Sequence, residues 1–224
     1  MRVLLLVEGQ TEERFAKNVL LPHFEPMGIY IAPTIIETKK IFSGGSFRGG
    51  VCNFRQVKAH LVRLLASARN AGEALVTTML DYYALPSDFP GMMDRPAVGA
   101  EARVRWVERA IHDHFGAPAN FLPYLSLHEF EALLFATDDA VPSVMGDHAK
   151  AASMRAVLEE CGDPERINER PDWSPSCRLR RMFSGYSKPL HGVLASQRVP
   201  LDVTRQACPH FHWWVSEIEA RAAV

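Results

Sequence analysis

Val3 to Val7 form an uninterrupted apolar run that stops at Glu8-Gly9, the pattern of a strand buried on both faces of a parallel sheet. Thr11 precedes Glu12, Glu13, Arg14 and Phe15, and acids in a first turn suit the positive end of a helix dipole. A helix is therefore predicted from about Glu12 to Leu21, closed by Pro22. Ile29 to Ile36 is rich in β-branched residues and predicts a second strand, after which Ser43-Gly44-Gly45-Ser46 and Gly49-Gly50 mark a loop. Between Phe54 and Ala71, Val57, Leu61, Leu64, Leu65 and Ala68 recur at helical spacing, and Gly72 supplies the terminating glycine. Ala74 to Leu80 predicts a third strand that delivers Asp81 to a loop, followed by a helix over about Ala100 to Phe115 and a fourth strand near Phe121 to Leu125. This alternation predicts an α/β fold with a mostly parallel sheet flanked by helices. Beyond Thr137 the segments are short, proline-punctuated and helical in pattern, which divides the chain into an α/β region, 1–136, and a helical C-terminal region, 137–224.

Composition narrows the picture only a little. Apolar residues make up 47% of the 224 and charged residues 23%, as in an ordinary globular protein. The formal net charge is -1, so total charge gives no footprint for nucleic acid and any basic surface must be local. Glu8 cuts the first apolar run far short of a signal peptide or a spanning helix, so no membrane association is expected. Cys52, Cys161, Cys177 and Cys208 lie far apart without a CxxC pair, which argues against a zinc ribbon or a disulfide framework and makes a reduced cytoplasm the expected setting. The chain also lacks a GxxxxGK[ST] loop and a GxSxG elbow, which argues against ATP hydrolysis and serine-hydrolase chemistry by this chain.

Functional residues of open α/β sheets gather at the carboxyl ends of the strands, and Glu8 and Asp81 each follow a strand-like run. Alone, either acid reads as a strand end or a cap for the next helix. Together they predict convergence, and two converging carboxylates repel unless they share a proton or a cation; hard oxygen ligands favour magnesium or manganese over zinc. Arg178, Arg180, Arg181 and Lys188 cluster near Phe183 and Tyr186, a combination suited to a phosphate backbone and stacked bases but equally to a solvated helix face. His210, His212, Trp213 and Trp214 could form a metal or base-stacking site, but the favoured reading is that the tryptophans, with Val215 and Ile218, form an amphipathic helix face packed on the core.

The strings VEGQTEERF, MLDYYALPSDFPG, SLHEFEALLF, KPLHG and CPHFHWW resemble the bacterial domain-of-unknown-function family numbered 4276 over most of the chain. Glu8, Glu12 and Asp81 further resemble the Toprim domain of topoisomerases, primases and the overcoming-lysogenization-defect nucleases, over about Met1 to Phe135. In that domain a glutamate after the first strand and an Asp-x-Asp after the third hold magnesium. The resemblance implies a Toprim-like sheet, Mg2+ (or Mn2+) held by Glu8, Asp81 and one more acid, and phosphodiester cleavage of nucleic acid, with Glu8 or Glu12 relaying protons. Asp81-Tyr82-Tyr83 departs from it, because tyrosine stands where the second aspartate would be. Asp88, Glu129 and Glu131 are the candidate replacements, with Glu129 favoured if a helix starts there. Lys188 is the candidate for the lysine that the resembled nucleases place beside the metals, and Arg178, Arg180 and Arg181 are the candidate nucleic-acid contacts. Those nucleases join the Toprim domain to an ABC-type ATPase, so the resemblance implies an ATPase partner encoded nearby and a place in phage defence. A non-catalytic Toprim-like subunit of such a complex is the alternative that Tyr83 keeps open.

Overall fold

The computed structural model describes residues 1–36, 53–70, 74–97, 99–167 and 173–223. Both glycine-rich loop signals and the expected terminating Gly72 lie outside them. Five parallel-paired strands form the sheet: β1 (Arg2–Val7), β2 (Tyr30–Ile35), β3 (Ala74–Asp81), β4 (Phe121–Leu122) and β5 (Leu125–Ser126). The order is β2-β1-β3-β4, with β5 also pairing β3. Pro33 sits opposite Leu5 in β2, tolerated there because β2 is the edge strand and need not donate outward.

Side-chain alternation sends the two halves of each strand's surface into separate cores. Val3, Leu5, Val7, Leu75 and Met79 pack with one set of helices, and Leu4, Leu6, Val76 and Leu80 with the other. The second face is covered by α3 (Phe54–Asn70) and α4 (Ala100–His114), whose buried residues Val57, Leu61, Leu65, Val104, Val107 and Ile111 repeat at helical spacing. The first face is covered by α1 (Gln10–Phe15) and α2 (Leu21–Phe24) together with elements from the C-terminal half. These are α5 (Ala140–Met145), α6 (Ala151–Cys161), α7 (Pro175–Met182), α8 (Val193–Ser196), α9 (Leu201–Ala207) and α10 (Pro209–Ala222).

Three differences from the expected elements have local causes. Pro22 does not end the first helix: a π-turn at Ala16–Leu20 precedes it, the coil resumes as α2, and a 3-10 turn at Glu25–Met27 finishes the segment. The wider turn accommodates a residue that lacks an N–H and crowds the carbonyl four positions back. The fourth strand divides into β4 and β5 around Pro123, where side chains replace the ladder: Thr77 Oγ1 donates to the Leu122 carbonyl (2.5 Å), and Thr78 Oγ1 donates to the Tyr124 carbonyl while accepting from its N–H. The HEFE segment is not an α-helix from Glu129. Glu129 is extended (φ -138°, ψ 156°) and a 3-10 helix runs from Phe130 to Ala136.

The C-terminal helices are tied to the sheet rather than appended to it. Trp214 is fully buried, stacks on Tyr124 (ring centroids 4.4 Å apart) and donates from Nε1 to Thr77 Oγ1 at 2.9 Å. Glu165 caps the start of α10 by accepting from the backbone N–H groups of His210 and Phe211, and the buried His210 ring bonds to Glu108 at 2.9 Å. His210 and Trp214 thus serve packing, whereas His212 is exposed and accepts from Arg205 Nε. No helix among the described residues is long and apolar enough to cross a membrane.

Candidate functional site

The chain leaves β1 toward β2 across one face of the sheet and leaves β3 toward β4 across the other, so the direction of winding reverses between these adjacent strands. A crevice forms at the carboxyl ends of strands at such a reversal. Glu8 follows the last residue of β1 and Asp81 is the last residue of β3, in a register that pairs Val7 with Met79. The two carboxyl groups are close enough for the Glu8 charge to raise the pKa of Asp81, after burial and against Lys188. Glu12 turns back to the same point from the first turn of α1, and Gly9 leaves it room: a Cβ at position 9 would stand 3.3 Å from Glu12 Oε2. Glu131 enters from the 3-10 helix, whose first N–H, that of Phe130, donates to Asp81 Oδ1 at 3.0 Å.

Lys188 lies among these acids. Its Nζ is 3.1 Å from Glu12 Oε1, 3.1 Å from Glu131 Oε2 and 3.5 Å from Asp81 Oδ2, and 5.8 Å from the centroid of the Phe130 ring. The lysine starts a π-turn, Lys188–Gly192, where the backbone passes close to Tyr186; a Cβ on Gly192 would meet Tyr186 Oη at 2.9 Å. Glu8, Glu12, Asp81 and Glu131 thus face a single ammonium, a formal surplus of three negative charges when all are ionised. Glu8 Oε2, Glu131 Oε1 and Tyr186 Oη are buried without a hydrogen-bond partner among the described residues.

The electrostatics follow from burial and crowding. Desolvation, reinforced by neighbouring carboxylates and opposed by Lys188, raises the pKa of Glu8, Asp81 and Glu131. Burial by itself would lower Lys188, but Asp81, Glu131 and Glu12 together outweigh it and hold the ammonium well above its ordinary value. Burial, then the Glu131 charge, pushes the Tyr186 phenol upward, so it stays protonated.

The other candidates are placed elsewhere. The Glu129 carboxylate accepts from the Ser176 N–H at 2.9 Å, capping α7 beside Ser174, rather than joining the Lys188 ion pairs. Asp88 Oδ2 accepts from the Phe54 N–H at the start of α3. Arg178 is buried, forms a two-pronged pair with Glu160 and donates to the Trp173 carbonyl, so its guanidinium already has protein partners. Arg180 donates to Ser176 Oγ, and the Arg181 guanidinium lies 5.5 Å from the Trp173 ring. Glu131, not the Glu129 that the sequence favours, joins the cluster, and Tyr186, by sequence only an aromatic flank of the basic run, lines it. The single cue for Glu131 was its place two residues after Glu129 in HEFE.

The donor chemistry of the cluster fits a hard divalent cation: oxygen ligands, surplus negative charge and orphaned carboxylate oxygens. Its present arrangement is that of a lysine-paired cluster, and among the described residues no group of three His, Cys, Asp or Glu converges as metal ligands do. A cation would enter only with rotation of these side chains and retreat of Lys188.

The family described as "Domain of unknown function (DUF4276)" matches residues 7–219. The chain belongs to that family. Among solved structures, the C-terminal region of the Burkholderia pseudomallei OLD protein matches with 18% identity and a TM-score of 0.44, covering 98% of this chain and 98% of that one. The C-terminal region of the Xanthomonas campestris pv. campestris OLD protein matches with 17% identity and a TM-score of 0.42, covering 99% and 95%. A comparison with curated proteins gives no match.

Proposed function

We propose that this family member is a Toprim-like, magnesium- or manganese-dependent phosphodiester-cleaving enzyme acting on nucleic acid. The observation that carries the reading is the convergence of Glu8, Glu12, Asp81, Glu131 and Lys188 at the winding reversal of the sheet. Glu8 and Asp81, with Glu131 as third acid, would hold the metal, which when bound polarises the phosphate and lowers the pKa of a coordinated water. Lys188, released from its carboxylates, faces the negative charge that develops on the phosphoryl oxygens. Glu12, as close to Lys188 as Glu131 is and outside the proposed ligand set, takes the proton of the attacking water as its oxygen bonds to phosphorus and the P–O bond to the leaving group breaks. Tyr186 Oη offers a protonated donor beside Glu131 and Lys188. Cleavage of labelled single- and double-stranded DNA and RNA in magnesium, manganese and EDTA tests this: wild type should cut at least one substrate only with a divalent cation, and Asp81→Asn should cut none.

A second reading is a non-catalytic subunit that works with a separate ATPase. It is favoured by the Lys188 ammonium, which already satisfies three carboxylates in the place a cation would use. Of the Val193-Leu194-Ala195 stretch, only Leu194 is exposed and offers a docking contact. Recovery of an ATPase with the tagged protein from its native cell, and no cleavage under any cation, would favour this reading over the first.

A further inference from the structure

The carboxylate cluster meets a charge obstacle if its substrate is a polyanion. With its four acids ionised it holds three negative charges in excess of Lys188, and a divalent metal offsets two of them. A phosphate approaching that point is repelled unless further cations stand at the rim. The Lys188 charge is already counted in this balance, and Arg178 is buried against Glu160.

Two other guanidiniums are anchored beside the cluster. Arg14 is exposed on α1, two residues after Glu12, and its Nη1 donates to the Pro189 carbonyl at 3.3 Å. Pro189 follows Lys188 in the π-turn, so this bond sets the Arg14 fork against the turn that delivers the lysine. Glu13, the acid next to Arg14 in sequence, is taken by Lys17 at 2.6 Å. Arg180 is exposed on α7, and its Nη2 donates to Ser176 Oγ at 3.1 Å. Ser176 is the residue that Glu129 caps, and α7 packs on the 3-10 helix that carries Glu131. Burial dominates the Tyr186 phenol, but Glu131, Lys188 and Arg180 all act on it, which puts the Arg180 charge near the cluster. Arg14 therefore borders the site from the element that supplies Glu12, and Arg180 from beside the element that supplies Glu131. Among the described residues neither pairs with a carboxylate, unlike Arg155, Arg178 and Arg205. An arginine held through one nitrogen keeps its remaining donors for a phosphate.

We propose that Arg14 and Arg180 form a phosphate clamp across the carboxylate cluster, each taking one of the phosphates that flank the scissile one in a polynucleotide strand. The inference rests on the nucleic-acid reading of the cluster and adds to it that the bond addressed lies inside a strand, with a phosphate on either side. With a metal in place, the two arginines turn a local excess of one negative charge into one positive charge, so the strand is attracted rather than repelled. Arg14 lies outside the basic run of α7, and its place at the site comes from the long-range bond to Pro189.

The test is fluorescence anisotropy of labelled single-stranded and duplex DNA and RNA with calcium as the cation, gels confirming that the strand stays intact. Arg14→Ala and Arg180→Ala should each weaken binding by about tenfold at low salt. Each should also flatten the slope of log affinity against log salt by about 0.7 on a single strand or about 0.9 on a duplex, the value for one phosphate contact. Arg14→Gln can still donate to the Pro189 carbonyl but carries no charge, so it should behave like Arg14→Ala, whereas Arg14→Lys should keep most of the slope. Arg63→Ala, on α3 over the opposite face of the sheet, should change nothing. The dinucleoside monophosphate TpT has no flanking phosphate and should need about a hundredfold more than an unlabelled strand to displace the probe, about tenfold for each contact it lacks. Wild-type binding by Arg14→Gln, an equal loss in Arg63→Ala, displacement by TpT at concentrations comparable to the strand, or no binding by the wild type would each overturn the clamp. In cleavage assays both clamp variants should raise KM more than they lower kcat. Cleavage with unchanged kinetics in both variants would remove the clamp and keep the enzymatic reading; clamp-dependent binding without cleavage in any divalent cation would do the reverse.

Discussion

Replacing Lys188 with methionine removes the only cation among the described residues that pairs with Glu12, Asp81 and Glu131 while keeping an unbranched side chain of similar reach. Breaking a buried ion pair on one side typically costs about 3–5 kcal/mol, because the remaining charge is left without compensation. Two features reduce that here. Lys188 keeps 31% of its side chain accessible, so water screens part of the loss. Asp81 and Glu131 already have raised pKa values and respond by taking up protons rather than staying charged. A cost of about 2 kcal/mol at pH 7 is therefore expected, equivalent to a melting temperature lower by roughly 4–8 °C for a chain of this size. The pH dependence has a definite sign. Carboxylates with folded pKa values above the unfolded ones favour the folded state when protonated, and that contribution is lost as pH rises through the folded values. Without Lys188 those values rise further, so the penalty should be small at pH 5 and larger at pH 8. Thermal melts by circular dichroism across that range measure it, and adding Glu131→Gln to Lys188→Met should recover part of the loss. A Lys188→Met protein as stable as wild type at pH 8, or one with the same penalty at pH 5 and pH 8, would refute the reasoning.

Glu8→Gln and Asp81→Asn should each abolish cation-dependent cleavage while leaving the melting temperature unchanged or higher, since each relieves carboxylate repulsion; activity comparable to wild type in either variant removes that residue from the site. Arg180→Ala with Arg181→Ala should weaken nucleic-acid binding and flatten its salt dependence, and an unchanged slope would take both out of the interface. Burial, with Arg103 nearby, lowers His128 to about 4, so the folded state loses stability as pH falls from about 6.5 toward 4. That loss amounts to at most about 3 kcal/mol, and His128→Gln should remove it from a pH series of denaturant titrations. Trp214→Phe should cost about 2 kcal/mol by leaving a gap against Tyr124 and removing the bond to Thr77, read as a lower denaturant midpoint.

The sheet was legible because its central strands are buried on both faces and read as unbroken apolar runs: Val3–Val7 and Ala74–Leu80 need no partner to be recognised. Once both runs are strands, the acids that end them become neighbours through the pairing of β1 with β3, so Glu8 and Asp81 were accessible as a pair. Glu131 was hidden by local geometry. A helix beginning at Glu129 turns Glu129 and Glu131 to different faces, whereas an extended Glu129 followed by a 3-10 turn sends one to α7 and the other to Asp81. The capping of Ser176 by Glu129 spans 47 residues, and no local propensity encodes it. Lys188 reaches the cluster by an equally long-range route, on a π-turn 57 residues after Glu131, and its candidacy came from family resemblance rather than from pattern. Within the basic run, helical phase points Arg178 inward to Glu160, while Arg180 and Arg181 remain exposed.

The central claim is that the carboxylate cluster binds a divalent cation despite the lysine it contains. Titration of Mn2+ into the protein, followed by the loss of free-ion signal in electron paramagnetic resonance, measures this directly. Saturable binding is expected that weakens as pH falls, because raised carboxylates must release protons to bind, and that disappears in Glu8→Gln and Asp81→Asn. Absence of saturable Mn2+ binding by the wild type, or binding that persists in both variants, would contradict it.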